Sequence, residues 1–270
     1  FTETEQFVSI AEDLLGPYDW VRYDLLTLPP SFPFGGMENP CLTFVTPTLL
    51  AGDRSLCFVV AHEIAHSWTG NLVSNATWEH FWLNEGFTVY FERKILKRMY
   101  GEAHYELAAT IGYNDLVTTV AEFGPTHEFT KLIWDLEGKD PDDAFSSVPY
   151  EKGFAFLTYI ESLTGEEFFL NLVKAWVDKF KYKSAISSDF KEHAEEYLRN
   201  NSTDFEGVWS KIDWDMWLNG VGIPTEVIRY NSTLINQAVE LAEGFARGET
   251  PENYTILLPH TTIVVNQTLI

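Results

Sequence analysis

His62-Glu63-Ile64-Ala65-His66, followed nineteen residues after the second histidine by Glu85 in Asn84-Glu85-Gly86, decides how this chain reads. Histidines at i and i+4 lie on one face of a helix, stacked one turn apart. Imidazole nitrogens suit zinc, and two of them converging from one helix leave room for a third ligand and a water. Glu63 lies beside the pair, where it can serve as general base rather than ligand. Glu85 supplies the carboxylate that completes a His-His-Glu catalytic metal site.

A helical histidine can also be an ordinary core residue. Here, though, Phe58-Val59-Val60-Ala61 leads into the motif, and Ile64, Ala65 and Trp68 surround it. In so apolar a helix two unpaired imidazoles and a carboxylate are costly, and a divalent cation is their natural partner. The expectation is one Zn²⁺ per chain on His62, His66 and Glu85. Glu92 lies seven residues beyond Glu85, two turns on and on the same face. It reads either as a carboxylate accepting from a metal-bound imidazole N–H or as a solvated helix charge.

Working outward, Glu5 to Leu14 has helical spacing and stops at Gly16-Pro17. Tyr23 to Leu28 and Cys41 to Thr46 read as strands around a Gly/Pro-rich loop from Ser31 to Pro40. Asp53 or Ser55 could cap a long helix running through the motif to Trp68 and Thr69, with Gly70 ending it. A polar connector, Asn71 to His80, precedes a helix from Trp82 to Tyr100. Further helices are expected over Tyr105–Phe123, Glu151–Leu163, Glu166–Phe180, Ser188–Leu198 and Leu234–Phe245, with a breaker-rich stretch from Gly138 to Pro149. Trp209 to Leu218 is a short aromatic segment. Tyr254–Leu258 and Ile263–Val265 read as short strands. The fold class is α+β, mainly helical, with a small β portion ahead of the HExxH helix.

At 270 residues, 45% hydrophobic and 15% aromatic, the chain can bury a large core and is not disordered. Its net charge of −22 disfavours nucleic acid and anionic membranes and favours cationic ligands, such as the ammonium of a peptide N-terminus. No apolar run is long enough for a transmembrane helix. Cys41 and Cys57 are too few for a disulfide framework and read as buried thiols. The opening Phe1-Thr2-Glu3-Thr4 suggests a piece of something longer. N-glycosylation sequons at Asn75, Asn200, Asn201, Asn231, Asn253 and Asn266 leave a secreted or luminal location as the alternative to a cytoplasmic one.

Three motifs occur in order: Gly35-Gly36-Met37-Glu38-Asn39-Pro40, then HExxH with its distant glutamate, then Val148-Pro149-Tyr150-Glu151-Lys152-Gly153. Together they resemble the gluzincin zinc aminopeptidases with a GxMEN motif, in particular the branch of leukotriene A4 hydrolase and aminopeptidase B. The likeness is dense from about Pro30 to Gly153 and fades after roughly Pro224. It implies a thermolysin-like catalytic domain over residues 1–224, with 225–270 a C-terminal extension. It implies that Glu63 activates the zinc water, that Glu38 and the surrounding Gly35, Gly36, Met37 and Asn39 bind the substrate's free amino end, and that Tyr150 hydrogen-bonds the oxyanion. Asp142 matches a position linked to recognition deep in the substrate pocket, while His127 reads as structural. Taken from the residues alone, Glu38 is a turn carboxylate and Tyr150 a loop aromatic.

The chain departs from that branch in places. Phe34 and Phe145 stand where such hydrolases often carry Tyr, and the flanking β and helical domains of the family have no counterpart in the motif order. The leading expectation is a zinc aminopeptidase acting on short peptides with a free N-terminus. The alternatives are epoxide hydrolysis at the same zinc, or a fragment that binds zinc or peptides without turnover.

Overall fold

The computed structural model describes residues 1–230 and 233–250. The expected strands at Tyr254–Leu258 and Ile263–Val265 and the sequons at Asn231, Asn253 and Asn266 lie outside the described residues. Helix α1 (Thr4–Leu15) buries Phe7, Ala11 and Leu14, a stripe at helical spacing, and ends at Gly16 with φ 102°. Three short strands follow: β1 (Asp24–Thr27), β2 (Gly36–Met37) and β3 (Leu42–Val45). β3 is central, parallel to β1 and antiparallel to β2, with Gly36 opposite Val45 and Met37 opposite Phe44. The loop expected at Ser31–Pro40 therefore contains the edge strand β2, too short to show in its pattern.

Helix α2 (Phe58–Ala65) carries the HExxH motif and is shorter than expected. Asp53 does not cap it. Its Oδ1 accepts from Ser55 N at 2.9 Å within the preceding turn. Beyond Ala65 the backbone tightens, Ser67 N donating to Ile64 O and Trp68 N to Ala65 O, before Gly70 with φ 128° turns the chain into β4 (Val73–Asn75). Apolar periodicity cannot separate such tightened turns from a continuing helix. The short strand β4 pairs in parallel with β5 (Lys183–Ala185), a polar segment with no alternating pattern to reveal it.

Helix α3 (Trp82–Tyr100) is the spine of the molecule: every residue from Trp82 to Leu96 is buried. Around it lie α4 (Glu102–Phe123), α5 (Val148–Thr164), α6 (Glu166–Phe180) and α7 (Ser187–Asn201). Two short helices, α8 (Phe205–Trp209) and α9 (Trp214–Asn219), occupy the expected aromatic segment, and α10 (Thr233–Ala246) follows. α5 starts within the stretch read as breaker-rich, because Pro149 occupies its first turn, where a missing N–H costs nothing. Tyr150 is thus a helical residue rather than a loop aromatic. Cys41 and Cys57 are free and half-buried rather than buried. Among the described residues no helix is long and apolar enough to cross a membrane.

α3 and α5 approach closest at Gly86 and Gly153. A Cβ added to either would lie 2.8 Å from the other's Cα. No side chain fits there, so the helices pack backbone to backbone and bring Glu85 on one and Tyr150 on the other to the same place. Gly153→Ala should force them apart and cost about 1–3 kcal/mol, as overpacking does. Thermal or urea unfolding checks this, and unchanged stability would mean the crossing is loose.

Candidate metal centre

α2 presents His62 and His66 to one side, and α3 presents Glu85 to meet them. Glu85 Oε2 lies 3.3 Å from the Nε2 atom of each imidazole, and the two Nε2 atoms are 3.1 Å apart. The far side of each ring is engaged. His62 Nδ1 lies 3.0 Å from Glu92 Oε2, and His66 Nδ1 lies 2.9 Å from the Thr69 carbonyl and 3.0 Å from Thr88 Oγ1. A carboxylate and a carbonyl can only accept, so each neutral ring carries its hydrogen on Nδ1 and turns its Nε2 lone pair toward the other ring and Glu85. Glu92, 7% exposed, is paired with a ring nitrogen rather than solvated.

The electrostatics agree with a cation. Burial works against charging either imidazole, but the carboxylates outweigh it. Glu85 and Glu38 bring His66 up to about 9, and the facing carboxylates of Glu85 and Glu92 bring His62 well above its ordinary range. Burial would likewise raise Glu85, yet the two imidazoles hold it down at about 2. The centre demands positive charge, but two Nε2 hydrogens cannot both occupy a 3.1 Å gap between the rings. Glu85 Oε2 is buried with no hydrogen-bond partner, although it faces both rings. Two imidazole nitrogens and a carboxylate oxygen in this arrangement are a donor set that fits Zn²⁺.

Glu63 extends from α2 beside the pair, 5% exposed. Burial raises its carboxyl to about 7, against the opposing pull of both imidazoles. Its Oε2 has no hydrogen-bond partner. β2 crosses directly over it: a Cβ on Gly36 would lie 2.3 Å from Glu63 Oε1, which is why this edge needs glycine. Glu38, just past β2, brings Oε1 to 4.0 Å from His66 Nδ1, and with Glu63 and His66 forms a second, overlapping group of donors. Asn71 holds that turn by donating from Nδ2 to the Glu38 carbonyl at 2.7 Å.

Tyr150, in the first turn of α5, stacks its ring on His62 at 22° with centroids 6.1 Å apart. Phe81 and Phe145 meet it edge-on. Burial, followed by the charges of Glu85, Glu38 and Glu63, raises the phenol well above its ordinary value, so it remains a donor. A cavity of about 1880 Å³ opens over these groups. Gly35, Gly36, Met37, Glu38 and Asp142 line it, with Phe34 and Phe145 half-exposed toward solvent. Asn39 serves the turn instead, its carbonyl accepting from Leu42 N at 3.0 Å. His127 caps a 3-10 turn, its Nδ1 accepting from Phe129 N, as a structural residue would.

Sequence reasoning passed over Thr88, Thr69 and Asn71. Thr88 had a signal: Glu85, Thr88 and Glu92 fall at i, i+3 and i+7, one stripe of α3. Thr69 and Asn71 act through a carbonyl and through contact with a distant turn, which leave no local pattern.

With this geometry established, the comparisons fall into line. Residues 2–214 match the model of the peptidase family M1 domain, and the chain belongs to that family. It is 51% identical over 248 residues to leukotriene A-4 hydrolase of Xenopus laevis, covering 92% of this chain and 40% of that protein. It is 48% identical over 241 residues to leucine aminopeptidase 2 of Sclerotinia sclerotiorum, covering 89% and 39%. The structure of yeast LTA4 hydrolase in complex with bestatin superposes with a TM-score of 0.90 at 36% identity, over 99% of this chain and 44% of that one. The chain thus spans about 40% of the length of the relatives it matches.

The pairing of Glu92 with His62 makes a prediction. Glu92→Ala should weaken Zn²⁺ affinity by about 10–100-fold, since the ring loses the partner that fixes its tautomer and angle. Competition against a chromogenic chelator measures this, and unaltered affinity would return Glu92 to the role of a plain helix charge.

Proposed function

We propose that this chain is the catalytic unit, over residues 1–224, of a zinc-dependent aminopeptidase that releases the first residue of short peptides. The observation that carries the reading is the buried meeting of His62 Nε2, His66 Nε2 and Glu85 Oε2, with Glu63 beside it and an open cavity above. Zn²⁺ bound by these three donors supplies Lewis acidity to the substrate carbonyl and to the attacking water.

The remaining chemistry falls to the chain's own side chains. Glu63, buried and with one oxygen unpartnered, takes a proton from the attacking water and passes it to the departing amine. Burial raises the Glu63 carboxyl and the positive charge held beside it lowers it, opposing pulls that suit a group which both takes and gives a proton. Tyr150, held protonated by burial and by the acids around it, donates to the oxyanion from the α5 side. Glu38 receives the substrate's ammonium, which sets the register at one residue and turns an endopeptidase geometry into an exopeptidase one. The aromatic group of Phe81, Phe145 and Tyr150 offers apolar surface to the first side chain.

Epoxide hydrolysis at the same centre fits less well. The cavity wall carries Glu3, Glu38, Asp53, Asp115 and Asp142 besides the catalytic acids, and its two arginines are paired, Arg93 with Glu151 at 2.8 and 2.7 Å and Arg54 with Glu3 at 2.7 Å. Such a wall attracts a peptide ammonium and repels a fatty-acid carboxylate.

Glu63→Gln should keep the metal and lose nearly all turnover, because an amide cannot accept the proton. Tyr150→Phe should lower kcat by about 10²–10³-fold with little change in KM if the hydroxyl meets the oxyanion. Both are read with amino-acid anilides alongside metal analysis. A Glu63→Gln enzyme at full rate would remove Glu63 as the base.

The exopeptidase register has its own test. N-acetylated peptides should be poor substrates, and Glu38→Ala should cost on the order of 1.5–3 kcal/mol in kcat/KM on free peptides, the worth of a charge-assisted contact. Equal rates on free and acetylated peptides would rule the register out.

A further inference from the structure

Lys152 is fully buried, at 0% exposure, two residues after Tyr150. Its Nζ donates to the Thr130 carbonyl at 2.8 Å and to the Gly220 carbonyl at 2.7 Å, partners 22 and 68 residues away in sequence. Neither is an acid, and burial alone pushes its pKa down to about 7. Lys94, equally buried, has instead two carboxylates, Glu161 and Glu166. An apolar side chain of similar volume at position 152 would avoid the desolvation cost, so the contacts of Lys152 answer a need other than stability.

Geometry supplies that need. The strap carrying Thr130 leads to Trp134 in the cavity wall, and the loop carrying Gly220 closes α9. The two are stitched together by Gly222 N to Thr130 Oγ1 at 2.8 Å and Ile133 N to Leu218 O at 2.9 Å. Lys152 fastens the first turn of α5 to both. At its start Ser147 gives α5 no side-chain cap and Ser146 Oγ accepts from Val148 N at 3.2 Å, so Lys152 adds a long-range anchor to a local one. On the opposite side Glu151 is held by Arg93 of α3. Tyr150 immediately precedes these two anchors on the same helix.

We infer that Lys152 is a positioning residue: by tying the first turn of α5 to the Thr130 strap and the Gly220 loop, it holds the Tyr150 hydroxyl where the oxyanion develops. The inference rests on the oxyanion role proposed for Tyr150.

The test is a double-mutant cycle in the full zinc-loaded chain. Lys152→Met removes the N–H donors and keeps most of the volume. It should lower kcat by up to about 10²-fold, the cost of a displacement near 1 Å, with KM little changed. In a Tyr150→Phe background the same change should have almost no further effect on kcat, because the hydroxyl it positions is gone. Hydrogen exchange should quicken at residues 148–152 while α3 remains protected. Lys152→Gln, which keeps two N–H donors without the charge, should recover part of kcat, and it carries the same cycle if the Met variant does not fold. An equal loss of kcat in both backgrounds would show general structural damage and overturn the inference. So would a harmless Lys152→Met beside a costly Tyr150→Phe, which leaves the role of Tyr150 intact. Full activity in Tyr150→Phe alone would remove that role, and the inference with it.

Discussion

A helix buried on every side yet carrying Glu85, Glu92, Arg93 and Lys94 sets the constraint from which the rest of this structure follows. Removing one partner of a buried pair costs about 3–5 kcal/mol, so each charge on α3 dictates what must stand opposite it. Glu92 has His62, Arg93 has Glu151, and Lys94 has Glu161 and Glu166. The first of these brings α2 to α3, and the others bring α5 and α6. Even the neutral Thr88 is used, bridging to Thr69 and to His66. The charges of α3 thus act as addresses for the helices that surround it.

Those pairings also determine how rigid the centre is. Glu85 and Glu92 face α2, while Arg93 faces the first turn of α5, one residue from Tyr150. The side carrying His62 and Glu85 and the side carrying Tyr150 are therefore referenced to the same rigid rod. The glycine contact between Gly86 and Gly153 removes the slack that side chains would introduce. Gly112 serves the same end on α4, where a Cβ would lie 2.3 Å from Arg93 Nη2 and 2.1 Å from Glu151 Oε2. Glycine is used here to let charged groups reach each other rather than to let the backbone bend.

The parts of this arrangement legible in the sequence are those written in one helix's own period. His62 and His66 repeat at four residues, and Glu85 and Glu92 at seven, so both faces could be read without a fold. The helices themselves were legible for the same reason, apart from the end of α2, where tightened turns mimic helical spacing. Glu38 and Tyr150 were not legible alone. Each owes its place to partners far away in sequence, Asn71 and His66 in one case and α3 in the other, and only likeness to known enzymes pointed to them. Lys152, Asn71 and the β4–β5 pairing left no trace, because a contact to a backbone carbonyl constrains no side-chain pattern at the other end.

The centre stands out when its polar atoms are followed to their partners. On α3 the carboxylate of Glu92 accepts from His62, and the cations of Arg93 and Lys94 have carboxylate partners. The carboxylate oxygens of α2 and α3 buried without a hydrogen bond are Glu63 Oε2 and Glu85 Oε2. A buried acceptor left open costs free energy, and folded chains leave few of them. Both occur within the one cluster where imidazole lone pairs also converge. On the proposed reading each open oxygen has a use: Glu85 presents a lone pair to the cation, and Glu63 gains and loses a proton. Arg93 Nε on α3 is also buried without a hydrogen bond, but it belongs to a guanidinium whose other nitrogens hold Glu151, whereas the open oxygens of Glu63 and Glu85 sit where imidazole lone pairs converge.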